Sequence, residues 1–184
     1  MRAFIAIDLP EGIRNRIGEL QEELKQCKVN VKFVEKENLH VTLLFLGERA
    51  ASEVNAAAET LSRCAGSCEP FTLSLQGAGY FGKGNHITTL WVGIAEGNAK
   101  LRELTETIAR ELHITQKGRE FHPHVTMGRV RSGRNKEALL HKLSSLEDVK
   151  VGEVEVTQLT LKQSTLTPQG PLYADIHTAD FTAA

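Results

Sequence analysis

Four His-x-Thr triplets occur in this chain: His40-Val-Thr42, His86-Ile-Thr88, His113-Ile-Thr115 and His124-Val-Thr126. With 7 His among 184 residues, and Thr at 15 positions, chance supplies about 0.6 of them. On a strand, His and Thr at i and i+2 share one face, where an imidazole can move a proton and a hydroxyl can hold an anion. Two of the four have that setting. His40 lies in LHVTLLFL and His124 in HVTMGRV, apolar runs in which Leu43 or Met127 takes the fourth place. His86 follows the loop 81–85 and has the polar Thr89 fourth. His113 closes a helical stretch, where i and i+2 point apart, and Gln116 follows it.

One such histidine alone is best read as a core side chain bonded to its neighbour. A matched pair facing each other across a groove has a chemical use instead, because one imidazole can accept a proton while the other donates one. A pKa near 6.5 suits that work at neutral pH. The hydroxyls of Thr42 and Thr126 would then donate hydrogen bonds to an anion between them. A phosphodiester fits, with a nucleophile on one side and a leaving oxygen on the other.

Other chemistries lack their residues. There is no G-x-S-x-G elbow, and GKGN at 82–85 has neither the spacing nor the following helix of a phosphate-binding loop. Phe121-His122-Pro123-His124 adds a second imidazole, so His40, His122 and His124 could ligate zinc, yet these strands carry no carboxylate or cysteine. His122 is therefore read as a surface residue at the strand's start. Without a metal to activate water, a strained five-membered 2′,3′-cyclic phosphate is the more suitable diester. Plain alternation points Arg129 away from His124 unless Gly128 makes a bulge. Tyr173 is either strand packing or a surface on which a base stacks.

The elements that must hold the pair can be read from periodicity. Strands are expected at 2–8, 31–34, 39–46, 71–77, 88–94, 124–130, 154–162 and 171–181. Helices are expected from about 13 to 27, where Ile13, Ile17, Leu20 and Leu24 recur, and at 51–65, 98–113 and 134–146. The pattern is used twice. IAIDLPEG plus a helix corresponds to LWVGIAEG plus a helix at an offset of 85, and HVTLLFLG corresponds to HVTMGRV at an offset of 84. Duplication implies a pseudo-two-fold axis that would set His124 opposite His40.

Together, MRAFIAIDLP, FVEKENLHVTLLFLGE, FHPHVTMGRV and LKQSTLTPQGPLY resemble the RNA 2′,3′-cyclic phosphodiesterases, also called 2′-5′ RNA ligases, of the 2H phosphoesterase superfamily. The similarity runs in order from residue 1 to 173. It implies an α+β, bilobal, pseudo-two-fold fold, with two antiparallel sheets lining a central groove and helices packed outside. It implies hydrolysis of RNA 2′,3′-cyclic phosphate ends to 2′-phosphates without metal, ATP or other cofactor, with 2′-5′ ligation as the reverse. By motif order, His40 would be the proton donor to the departing 3′ oxygen, His124 the acceptor that activates water, and Thr42 and Thr126 the phosphate holders. The residues alone leave donor and acceptor interchangeable. Met127 replaces the more usual leucine-like residue, a volume-conserving change, and Arg129 follows the second motif as in relatives. Expected partners are RNA ends, tRNA halves among them, or nucleoside 2′,3′-cyclic phosphates. A nucleotide-binding module without turnover and a metal-dependent phosphodiesterase stay open as rivals.

Composition bounds the rest. A hydrophobic fraction of 41%, a charged fraction of 24% and a net charge of −1 describe a globular chain without a broad basic surface, so recognition of RNA would be local. No run approaches the length of a membrane span, and Asp8 cuts the apolar N-terminal stretch short of a secretory leader. Three cysteines, Cys27, Cys64 and Cys68, suit a reducing cytosol, and Cys64 and Cys68 are read as small residues near a helix end rather than a metal pair. The expectation is one bilobal domain over 1–184, with repeat halves of roughly 1–84 and 85–184, monomeric, cytoplasmic and not bound to membranes.

Overall fold

The computed structural model describes residues 1–84, 86–115 and 121–182. Asn85 of the GKGN loop and Gln116 behind His113 lie outside the described residues. The elements are β1 (Arg2–Asp8), α1 (Glu11–Lys25), β2 (Val31–Phe33), β3 (His40–Glu48), α2 (Ala51–Gly66), β4 (Phe71–Lys83), β5 (His86–Glu96), α3 (Asn98–Glu111), β6 (His124–Val130), α4 (Lys136–Ser145), β7 (Lys150–Val156), β8 (Gln158–Thr167) and β9 (Gly170–Asp180). A 3-10 turn at Lys36–Asn38 leads into β3.

The helices form where stripe and start signals agree. In α1 the buried Ile13, Ile17, Leu20 and Leu24 follow Pro10, whose fixed φ and missing N–H suit a helix start. At the start of α2 the Glu53 carboxylate accepts the Ala50 N–H at 2.8 Å, satisfying one otherwise orphaned donor. Gly97 precedes α3 with φ +91°, and a Cβ there would stand 2.8 Å from the Thr72 carbonyl oxygen, so only glycine fits. Gly12, its partner in the sequence repeat, is an ordinary residue of α1 with open space around it.

All strand pairs are antiparallel, in the order β7-β4-β5-β6-β3-β1-β8-β9, with β2 added to β6. A single residue pair, Val41 with Val125, joins β3 to β6, so the two expected sheets are two halves of one sheet hinged at that point. Thr157 alone separates β7 from β8, although these strands lie far apart in the order. So short a connection requires the sheet to curl into a half-barrel. Periodicity alone reads 154–162 as one strand, but Thr157 and Gln158 are consecutive exposed residues that break the alternation, and the segment divides there between β7 and β8.

The convex face is covered by helices. α1 lies on β7 with α4 beside it, while α2 lies on β8 and β9 with α3 alongside. Between sheet and helices sit Ile5, Ile7, Val41, Leu73, Leu90, Val92, Val125, Met127 and Leu161, each buried, with Ile17, Leu61, Leu101 and Ile108 from the helices. Burying one such side chain contributes roughly 1.5–3 kcal/mol relative to exposure. No helix of the described residues is long and apolar enough to cross a membrane.

Candidate active site

The concave face is where the two His-x-Thr strands meet. Val41 and Val125 point into the core, so the residues on either side of them point into the groove. Antiparallel register then sets His40 beside Thr126 and Thr42 beside His124, and all four are half-buried. The neighbouring pairs repeat this arrangement. Asp8 pairs with His40 and Ala6 with Thr42; Gly93 pairs with His124 and Trp91 with Thr126. The partners differ by the same 85 and 84 positions that the sequence repeat displays.

Both imidazoles are anchored alike. His40 donates its Nδ1–H to the carbonyl of Asn38 at 2.7 Å, and His124 donates its Nδ1–H to the carbonyl of His122 at 2.6 Å. These bonds fix the tautomer and leave Nε2 of each neutral ring as the proton acceptor. The Thr42 hydroxyl donates to Nε2 of His40 at 2.9 Å, whereas Nε2 of His124 has no protein partner among the described residues. Aromatic rings set the tilt of each imidazole: Phe4 and Tyr173 stand 5.1 and 5.4 Å from His40, and Phe81 meets His124 edge-on at 4.9 Å. His122 lies at the strand's mouth, exposed, with Phe81 at 6.4 Å.

Burial is the main electrostatic influence and holds the pKa of both histidines below 6.5. The Asn38 carbonyl and Asp8 oppose it at His40, while Lys162 and His124 reinforce it. At His124 the His122 carbonyl opposes burial, and Arg129 and the His122 ring reinforce it.

Arg129 shares the groove face with His124, against the alternation read from sequence. Gly128 pairs with Leu90 and Thr126 with Trp91, so Met127 is an extra residue, a bulge that reverses the phase. The bulge expected at Gly128 falls one residue earlier. Gln21, buried on α1, donates to the Met127 carbonyl and to the Val34 carbonyl, each at 2.9 Å. Arg129 in turn donates to the buried Thr89 hydroxyl at 2.8 Å. Leu43 is bulged in the same way between the Thr42 and Leu44 pairs, which turns Phe45 toward the groove with 64% of its surface exposed. Nothing in the sequence motifs singled out Gln21.

A pocket of about 320 Å³ opens beside His40, lined by strands of its half of the sheet and by the turn that leads into β3. Lys162 is the residue sequence reasoning missed there. The residue is 8% exposed; its ammonium donates to Asp175 at 2.6 Å and pairs with Asp8 at 2.8 Å, and the Thr160 hydroxyl donates to the other Asp8 oxygen. Burial lowers the pKa of that ammonium, but the bonds to Asp175 and Asp8 outweigh it and hold the group above its ordinary value. The remaining His-x-Thr triplets lie elsewhere: His86 and Thr88 are exposed where β5 begins, and His113 is exposed behind α3 with φ +53°. Cys64 lies in the last turn of α2 and Cys68 two residues beyond its end, their thiol pKa values raised by burial. Among the described residues no group of three His, Cys, Asp or Glu is arranged to hold a metal ion.

This curled α+β frame with paired histidine strands is that of the 2H phosphoesterases. The crystal structure of TT0787 of Thermus thermophilus matches it with a TM-score of 0.79 at 29% identity, covering 98% of both chains. That of Escherichia coli LigT complexed with 3′-AMP matches with a TM-score of 0.78 at 26% identity, over 98% of both. The sequence model of the 2′-5′ RNA ligase superfamily matches residues 9–165, and the chain belongs to that superfamily. A protein of Methanothermobacter thermautotrophicus called RNA 2′,3′-cyclic phosphodiesterase is 36% identical over 180 residues, 96% of each chain. One of the same name from Methanocaldococcus jannaschii is 39% identical over 175 residues, 94% of this chain and 96% of its own.

Proposed function

We propose that this chain hydrolyses RNA 2′,3′-cyclic phosphate ends to 2′-phosphates by two-histidine acid–base catalysis. One observation carries the reading: His40, Thr42, His124 and Thr126 project from one face at the β3–β6 junction, with both Nδ1 atoms tied to carbonyls, Nε2 of His124 open and Nε2 of His40 met by the Thr42 hydroxyl. His124 takes a proton from water as the water oxygen bonds to phosphorus. The bond from phosphorus to the 3′ oxygen breaks, and His40, which enters the reaction protonated, gives its Nε2 proton to that oxygen, leaving a 3′-hydroxyl and a 2′-phosphate, while the proton taken up by His124 goes back to His40 through solvent before the next turnover. Thr42, Thr126 and Arg129 hold the non-bridging oxygens. The open Nε2 of His124 supports its role as base, and the names of the relatives support the substrate class. No step requires a metal or a nucleotide cofactor. The same steps in reverse join a cyclic end to a 5′-hydroxyl. We read the chain as one bilobal unit over residues 1–184, a cytoplasmic monomer acting on RNA ends.

Single-turnover hydrolysis of nucleoside 2′,3′-cyclic phosphates tests this, with exhaustive chelation as a control that turnover must survive. His40→Ala and His124→Ala should each lower the rate by about 10² to 10⁴, and the double variant should fall little further, as for groups acting as one unit. Tight binding of the cyclic nucleotide without turnover would make the groove a binding module. His86→Ala and His113→Ala should match the parent.

A further inference from the structure

The pocket beside His40 holds three carboxylates, Asp8, Glu37 and Asp175, and one ammonium, Lys162. That balance repels a second phosphate, so the part of the substrate that enters is uncharged. On the reading above, the base of the cyclic nucleotide is that part, because it is carried by the ribose whose 3′ oxygen His40 serves.

The polar atoms are also ordered. Lys162 has three N–H donors, two of them engaged by Asp8 and Asp175. Both Asp8 oxygens are taken, by Lys162 and Thr160, while Asp175 keeps 58% of its side chain exposed and its second oxygen has no partner among the described residues. The Lys162–Asp175 pair, 2.6 Å from Nζ to Oδ1, therefore presents a donor, an acceptor and an acceptor in a row. That is the order on the pairing edge of cytosine. Its complement is guanine, which offers the O6 acceptor followed by the N1–H and N2–H donors. Adenine and cytosine turn a bare ring nitrogen toward the carboxylate, and uracil matches with O4 and N3–H but sets its O2 carbonyl against the second carboxylate oxygen. Tyr173, edge-on to His40 at 5.4 Å, supplies an aromatic wall against which a base can lie.

We propose that Lys162 and Asp175 form a base-reading pair that selects guanosine at the 2′,3′-cyclic phosphate end, an inference that rests on the function proposed above. The test is kcat/KM for the four nucleoside 2′,3′-cyclic phosphates, with calorimetric binding of the four nucleoside 2′-monophosphates in parallel, on the parent and on Asp175→Asn. Guanosine should be favoured by roughly tenfold in both measurements, and D175N should narrow the spread to within about threefold. Asp175 is exposed enough that the variant should fold, which thermal unfolding checks. Equal values for all four bases, or a guanosine preference untouched in D175N, overturns the proposal. Absence of turnover alongside guanine-selective binding upholds the base pair and overturns the hydrolytic reading instead.

Discussion

The two halves of the groove share a backbone frame and differ in what flanks each histidine. Beside His40 the paired strand carries Asp8 and Ala6; at the equivalent places beside His124 it carries Gly93 and Trp91. Five residues after His40 stands Phe45, and five after His124 stands Arg129, each delivered to the groove by a bulge at the fourth motif position. A Cβ on Gly93 would approach the Gln76 carbonyl oxygen to 2.9 Å, so that half cannot accommodate an equivalent of Asp8. Duplication thus explains why the imidazoles match, and the flanking residues explain how the work can be divided. Cation and open Nε2 gather at His124; carboxylates, Lys162 and a pocket gather at His40.

Truncating Phe45 and Arg129 in turn is the strongest way to break that comparison. If the phosphate is held from the His124 half, Arg129→Ala should lower kcat/KM by about 10², in the range seen when one donor to a developing oxyanion is removed. Phe45→Ala should stay within about threefold of the parent for the same small substrate. Steady-state kinetics on one cyclic nucleotide decides. Equal losses would mean that the halves are chemically alike despite their side chains.

The Met127 bulge can be tested without touching the groove. Gln21→Leu leaves the carbonyls of Val34 and Met127 without the donor they share, which should cost about 1–3 kcal/mol in urea unfolding. Activity should fall roughly tenfold as Arg129 loses its direction. In an Arg129→Ala background, Gln21→Leu should subtract little further activity, since the two act through one side chain. Additive losses would detach Gln21 from the arginine.

These features also mark where sequence reading succeeds and where it stops. The four helices, the two histidine strands and their offset were legible because each rests on a local period, such as Ile13, Ile17, Leu20 and Leu24 on one stripe. The direction of Arg129 was not, because a bulge shifts the phase after one residue. Its trace was present in the consecutive apolar pairs Leu43-Leu44 and Met127-Gly128, each buried at both positions where strict alternation allows one. Lys162 was read as the end of a strand, since nothing local announces that Asp8 and Asp175 will meet it from strands 154 positions before and 13 positions after. The division of 154–162 was hidden by a connection of one residue.

Lys162 offers a smaller, more specific effect. Lys162→Met leaves Asp8 and Asp175 facing one another without their counter-ion. Because both carboxylates are partly solvated, with 40% and 58% side-chain exposure, the loss should be about 1–3 kcal/mol at pH 7, below that of a fully buried pair. The loss should shrink as acid protonates the carboxylates. A variant as stable as the parent at pH 7 would reduce Lys162 to a packing residue.

The smallest effect is in the pH profile, where the halves act together. The productive free enzyme has one histidine protonated and the other neutral, so kcat/KM peaks midway between the two macroscopic pKa values. Burial holds both groups below 6.5, so the peak should lie on the acid side of 6.5. The stability consequence has the same origin. A histidine whose folded pKa lies below its unfolded 6.5 binds fewer protons when folded, so stability is full above 6.5 and declines as pH falls from there toward the folded pKa. His40→Ala should flatten that decline over the same window in thermal unfolding, as should His124→Ala. In activity, Arg129→Ala removes a cation that lowers the His124 pKa, so what turnover remains should peak at higher pH than in the parent. A peak that stays fixed, or moves toward acid, would mean that Arg129 and His124 do not share a field.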